Sequence, residues 1–278
     1  RGCRRGSTAA KNSRKLLVAS PESRSLAVFC DFENIALGVR EAKYAQFDMQ
    51  KVLERLLAKG SIVVKKAYCD WERYKEFKAA MHGASFELIE IPHVRQSGKN
   101  SADIRMVVDA LDLCYTKAHV DTFVIVSGDS DFSPLVSKLR ENAKTVIGVG
   151  VKNSSSDLLI ANCDEFIYYD DLVRQDEQTR RATRKRRETA PAGSGEDKKQ
   201  EGLDLMLGTL EALTAERGAE EKIWGSMVKQ ALKRRHPGFN ESYYGYKAFS
   251  DLLEDAEKKN LIKLEPDEKS GGYVIRPA

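Results

Sequence analysis

Asp31, Asp103, Asp129 and Asp131 are the residues whose type and spacing point most directly to chemistry. Asp31 closes the apolar run Ser-Leu-Ala-Val-Phe-Cys-Asp, and Asp129 and Asp131 follow a second one, Thr-Phe-Val-Ile-Val-Ser-Gly-Asp-Ser-Asp. A buried strand that ends on a carboxylate is unusual, because an unpaired buried charge is costly. Two such strands in one domain gather carboxylates at one edge of a sheet, and a divalent cation is the usual reason to gather them.

Simpler roles stand beside this one. An Asp after a strand often caps a helix. Ser133-Pro134 supplies its own cap with proline at the first helical position, which leaves Asp129 and Asp131 without an evident capping duty. Asp103 falls in the first turn of a helix starting near Ser101, where a carboxylate also suits the helix dipole. Asp31 has a plain turn residue as its simpler role. Asn34 could orient a ligand or water, or cap a helix. Ser127 and Ser130 could hydrogen-bond to the carboxylates. Asp109 lies about 240° around a helix from Asp103, so it supports the site from behind or serves structure rather than sharing a ligand directly.

The elements that must position these residues follow a β-α alternation over residues 25–173. Strands are expected at Leu26–Asp31, Ile62–Tyr68, Phe86–Ile91, Thr122–Ser127, Thr145–Val149 and Glu165–Tyr169, most of them short runs of β-branched and aromatic residues. Helical spacing appears from Phe47 to Leu57, from Ala102 to Cys114 and from Ser133 to Asn142. The succession predicts an α/β fold, an open parallel sheet with helices on both faces. Ligands of such sheets bind beyond the carboxyl ends of the strands, at the point where strand order reverses.

Residues 1–24 carry a net charge of +6 and residues 174–199 a net of +4, against +4 for the whole chain. Basic arms favour polyanions through counterion release, or serve only to keep the chain in solution. The segment 174–200 is expected as a charged helix extension followed by a flexible linker, Thr-Ala-Pro-Ala-Gly-Ser-Gly-Glu-Asp-Lys-Lys. The five scattered cysteines form no CxxC and suit free thiols in a reducing cytosol, so a cytoplasmic protein is expected. No apolar run is long enough to span a bilayer, and Arg-Gly-Cys-Arg-Arg-Gly at the start has no apolar core of a secretory signal; without an initiator Met, the chain is expected to be trimmed.

Residues 201–278 form a second unit. One apolar stripe runs through Leu203, Met206, Leu207 and Leu210, a second through Ile223, Trp224, Met227, Val228, Ala231 and Leu232, and a third through Phe249, Leu252, Leu253 and Ala256. Strands at Leu261–Leu264 and Gly272–Ile275 complete a winged-helix pattern. Tyr243, Tyr244 and Tyr246 could stack on unpaired bases or pack on the helices. Lys233 and Arg234 sit at a basic helix end, where they either touch RNA or complement the helix terminus.

Cys-Asp-Phe-Glu-Asn, Lys-Asn-Ser-Ala-Asp-Ile-Arg-Met-Val-Val-Asp and Val-Ser-Gly-Asp-Ser-Asp-Phe-Ser-Pro-Leu occur in the order and spacing of the NYN domain. Residues 25–173 therefore resemble that family of PIN-like nucleases. The resemblance implies a Rossmann-like PIN-type sheet and Mg²⁺- or Mn²⁺-dependent cleavage of RNA, single-stranded by expectation. It makes Asp31, Asp103, Asp129 and Asp131 the acidic ligands, and puts Asn34 and Asp109 at motif positions. Lys99 could contact phosphate or be an exposed loop residue. Pro-Gly-Phe-Asn-Glu-Ser-Tyr-Tyr-Gly-Tyr-Lys-Ala-Phe-Ser-Asp-Leu-Leu resembles the centre of a LOTUS, or OST-HTH, domain, a type implicated in binding RNA or protein partners. The alternative is a non-catalytic RNA-binding adaptor that keeps the acidic site. A haloacid-dehalogenase-type phosphatase fits less well, because Glu33 stands where that chemistry needs a second Asp.

Overall fold

The computed structural model describes residues 24–44, 47–91, 101–177, 194–218, 221–267 and 272–277. Lys99, residues 1–23 of the basic arm and the whole of the segment 178–193 lie outside these residues.

Six strands form one parallel sheet: β1 (Arg24–Asp31), β2 (Gly60–Cys69), β3 (Glu87–Glu90), β4 (Thr122–Val126), β5 (Thr145–Gly150) and β6 (Glu165–Tyr168). Their order is β3-β2-β1-β4-β5-β6, and every neighbouring pair is parallel. The order reverses between β1 and β4, so the crevice beyond their carboxyl ends is the natural ligand position.

Side chains of β1 alternate between two cores, as strand geometry requires. Leu26, Val28 and Cys30 face one layer, with α1 (Phe32–Glu41), α2 (Met49–Lys59), α3 (Lys75–Gly83) and the helical residues 169–177, here α7. Ala27 and Phe29 face the other, with α4 (Ser101–Thr116), α5 (Ser133–Glu141) and α6 (Asp157–Asn162). Val124 and Ile125 of β4 divide in the same way. Burial on both faces explains why these strands are continuous apolar runs.

The helices begin for local reasons. Asp48 caps α2 by accepting from the Gln50 amide, and Val52, Leu53 and Leu56 then fall on the buried face. Asp31 is at once the last residue of β1 and the N-cap of α1. In α4 the buried stripe is narrow: Met106, Ala110 and Cys114 recur every fourth residue, and Ile104 and Val108 remain exposed.

The second unit comprises α8 (Ser194–Arg217), β7 (Ile223–Trp224), α9 (Gly225–Arg235), α10 (Phe249–Lys258), β8 (Ile262–Asp267) and β9 (Gly272–Pro277). The strands make a small antiparallel sheet in the order β7-β9-β8. Its own core gathers Leu203, Met206, Leu210, Val228, Leu232 and Leu252. Two expectations are corrected here. The expected linker is already helical from Ser194. Ile223 and Trp224, expected on a helix, are a strand, because they pair with Ile275 and Val274 across β9.

The second unit rests on α2. The Lys59 ammonium, almost wholly buried, pairs with Glu165 of the sheet domain at 2.8 Å and with Glu216 of α8. Arg55 meets the same Glu216 at 3.1 Å. Arg234 Nε donates to the Leu57 carbonyl at 3.0 Å, near the end of α2, where backbone acceptors lack helical partners. Four cysteines in the described residues, Cys30, Cys69, Cys114 and Cys163, are free thiols. Among the described residues no helix is long and apolar enough to cross a membrane.

Candidate active site

Asp31 and the Ser127–Asp131 segment meet at the reversal point of the sheet. Cys30 is paired with Val126 in register, so the next residues of both strands leave the sheet side by side. Ser127, fully buried, donates its hydroxyl to Asp31 Oδ2 at 3.1 Å and accepts the Asp129 amide at 3.2 Å. The Asn34 amide donates to Asp31 Oδ1 at 3.3 Å, and Asn34 Oδ1 accepts the Gly128 amide at 2.8 Å. The turn after β4 is thus tied to the turn after β1 from both sides.

Gly128 is required in this turn. A Cβ there would stand 2.4 Å from the Ser154 carbonyl oxygen, and its own carbonyl accepts from the Ser156 amide at 2.9 Å. Asp129 Oδ1 then accepts the Asp131 amide at 3.0 Å and caps the short 3₁₀ turn Ser130–Phe132. This corrects the expectation that Asp129 has no capping duty. Helix α5 starts at Ser133 with Phe132 as its N-cap residue and no side-chain cap bond, so Ser133 does not take that duty over.

The four aspartates form a gradient of depth. Asp31 is only 7% exposed, Asp103 and Asp129 are half-buried, and Asp131 is exposed. Burial, followed by the field of Asp103, raises the Asp31 carboxyl to about 7, against the hydrogen bonds from Asn34 and Ser127. Burial and then the fields of Asp129 and Asp131 raise Asp103 to about 6. Residues far apart in sequence therefore act on one another electrostatically, with α4 bringing Asp103 across to the strand ends.

No group of three or more His, Cys, Asp or Glu among the described residues is assembled to hold a metal ion as the side chains stand. The fields of the carboxylates reach one another without their oxygens forming a ready-made cage. The chemistry of the donors nonetheless suits a hard divalent cation. All are carboxylate oxygens, and their mutual repulsion is of the kind a positive charge relieves.

Other candidate residues have different fates. Asp109 accepts from Tyr68 at 2.9 Å, Lys66 at 3.3 Å and Arg105 at 3.1 Å, which hold its carboxyl below the usual range against the opposing effect of burial. None of these bonds reaches the other aspartates. Ser130 and Asp131 line an open cleft together with Asp103. Glu33 pairs with Arg73 at 3.2 Å.

In the second unit two of three tyrosines are committed to packing, which corrects their reading as base-stacking residues. Tyr244 stacks on Phe239 at 5.1 Å, and Tyr246 is buried with its hydroxyl on Asp255 at 2.7 Å. Tyr243 remains 61% exposed, under the Lys198 ammonium at 4.9 Å. Arg234 is likewise corrected, since it is spent on the α2 carbonyls, whereas Lys233 is exposed. Sequence reasoning missed Gly128 and the Asn34–Gly128 bond, although Gly between two polar residues at a strand end marks a close backbone approach.

The sequence model of the NYN domain matches residues 25–170. Uncharacterized protein MJ0482 of Methanocaldococcus jannaschii is 29% identical over 117 residues, which are 42% of this chain and 45% of that protein. The chain thus matches less than half the length of that curated relative. A crystal structure of a protein of unknown function, VPA0982 from Vibrio parahaemolyticus, is 28% identical and superposes with a TM-score of 0.49, covering 55% of this chain and 97% of that one.

Proposed function

Since the chain belongs to the NYN domain family, we propose that it is a divalent-metal-dependent ribonuclease that hydrolyses RNA phosphodiester bonds at the Asp31–Asp103–Asp129–Asp131 cluster. The observation that carries this reading is electrostatic. Two carboxylates at the switch point are raised to about 7 and about 6, each by burial first and by neighbouring carboxylates next. Carboxylates perturbed by burial and by one another at a ligand crevice mark a candidate functional site.

Asp31, Asp103, Asp129 and Asp131 would hold Mg²⁺ or Mn²⁺. Such an ion lowers the pKa of a bound water and offsets charge on a scissile phosphate. The chain's own residues supply the frame. Ser127 fixes one oxygen of Asp31 and the Asn34 amide the other, so the carboxylate has one orientation. The Asn34–Gly128 bond holds Asp129 in position through the intervening backbone. Asn34 is in this reading a positioning residue. The basic arms would hold RNA by its phosphates. The second unit reads as a winged-helix LOTUS domain with an RNA or protein partner, and exposed Lys233 and Tyr243 are its candidate contacts.

Incubating labelled RNA with Mn²⁺, Mg²⁺ or EDTA tests the proposal. Cleavage that EDTA abolishes supports it, and RNA binding without cleavage under every condition favours the adaptor reading.

A further inference from the structure

Next to the carboxylates, the surface turns apolar. Ile104 and Val108 of α4 are 62% and 56% exposed, and Leu158 of α6 is 57% exposed. These side chains, with Val107 and Pro134, line an open cleft of about 540 Å³ whose rim carries Asp103, Ser130 and Asp131. That volume lies within the roughly 300–1,000 Å³ common for small-ligand sites. Exposed apolar side chains grouped around a concave surface mark binding far better than scattered ones do.

A second feature of the cleft points to a ligand with polar edges. Asp103, Ser130 and Asp131 put accessible polar groups on its lining, whereas the Ser133 hydroxyl oxygen is sealed from solvent.

We propose that this cleft receives one unpaired nucleobase of the RNA strand, seated between Ile104 and Val108 on one side and Leu158 on the other, beside the scissile phosphate. The inference rests on the ribonuclease reading and specifies its substrate. A nucleobase has two apolar faces for the aliphatic walls and a polar edge for Ser130. Asp103 and Ile104 are adjacent on α4, so the base seat and the acidic site share one rim. A base paired in a duplex has its faces stacked and its edge occupied, and therefore cannot enter. Aliphatic walls with few polar groups select for an unpaired base more than for its identity.

The test uses the full chain and a Val108→Ser/Leu158→Ser double variant, whose altered side chains are more than half exposed, so the core is untouched. Anisotropy of a short labelled single-stranded RNA in EDTA reads binding, and Mn²⁺ then starts cleavage. The proposal expects the variant to bind about tenfold more weakly, from the apolar area lost. It also expects one abasic position, scanned along the strand, to weaken binding by the natural protein but not by the variant. Equal binding by both proteins overturns the base seat, and continued cleavage would then leave the ribonuclease reading standing. Cleft-dependent binding with no cleavage supports the base seat and overturns the ribonuclease reading. A natural protein that sediments as a dimer, and a variant that sediments as a monomer with unchanged RNA binding, would make the patch a contact between copies and overturn the proposal.

Discussion

Ser127 donates its hydroxyl to Asp31 Oδ2 at 3.1 Å, joining the ends of two adjacent strands that are 96 residues apart in the chain. The same hydroxyl accepts the Asp129 amide, so one buried oxygen aligns two of the acidic residues. Ser127→Ala removes the donor that favours the charged form of Asp31. Its carboxyl is expected to titrate still higher, and the alkaline shift of the acidic limb in a pH–activity profile measures it. Stability should fall by about 1–3 kcal/mol, the cost of an unmet buried acceptor, read by urea denaturation.

Stability should also depend on pH in a defined direction. Asp31 and Asp103 have folded-state values near 7 and 6, above the ordinary carboxylate value in the unfolded chain. Between about pH 4 and pH 7 the folded state therefore binds more protons than the unfolded one. The contribution of these groups is full at the acid end and is lost as pH rises through the folded values. The melting temperature in EDTA is expected to fall between pH 5 and pH 8, Asp31→Asn is expected to flatten that fall, and Mn²⁺ is expected to reverse it at pH 8 through binding to the folded state.

Gly128→Ala places a methyl group against the Ser154 carbonyl, a backbone atom that cannot swing aside. The turn between Ser127 and Asp129 must move. A loss of about 1–3 kcal/mol in stability is expected, as for overpacking generally. Metal-dependent cleavage should fall more steeply than stability, because the displaced residues adjoin the acidic cluster.

Glu216 joins the two units by meeting both Lys59 and Arg55. Glu216→Leu leaves these cations underpaired beside α2. Urea unfolding is expected to change from a single transition to two, with the second unit opening first. RNA cleavage at the sheet domain should persist.

Much of the sheet was legible because its strands are buried on both faces. Apolar runs such as Thr-Phe-Val-Ile-Val needed no partner to be identified, and all six expected strands agree with the observed ones to within two residues at either end. The order of the strands follows from contacts across the sheet and was legible only as a fold class. Helices α3 and α6 were not singled out, since they bury few residues, α3 only Met81 and α6 only Leu159; α1 was missed although it buries Phe32, Ile35, Gly38 and Val39. Tyr244, Tyr246 and Arg234 misled because type does not reveal exposure. The three Tyr residues and the basic helix end look alike in sequence, yet tertiary packing consumes all but Tyr243 and Lys233. The aspartates were found by their place at strand ends, but their cap duties at α1 and the 3₁₀ turn emerge only from the backbone path.

Asp129→Asn separates chemistry from fold better than any other change. The amide oxygen of Asn can still accept the Asp131 amide, so the cap survives, while the negative charge is gone. The most direct measurement is the rate of cleavage of labelled single-stranded RNA by purified natural and Asp129→Asn proteins in Mn²⁺, with EDTA controls and matched melting curves. Cleavage by the natural protein that EDTA abolishes, together with loss of at least about a hundredfold in a normally folded Asp129→Asn protein, is the predicted result. Undiminished cleavage by Asp129→Asn, or cleavage indifferent to EDTA, would contradict the assignment of the acidic cluster as the metal-dependent ribonuclease site.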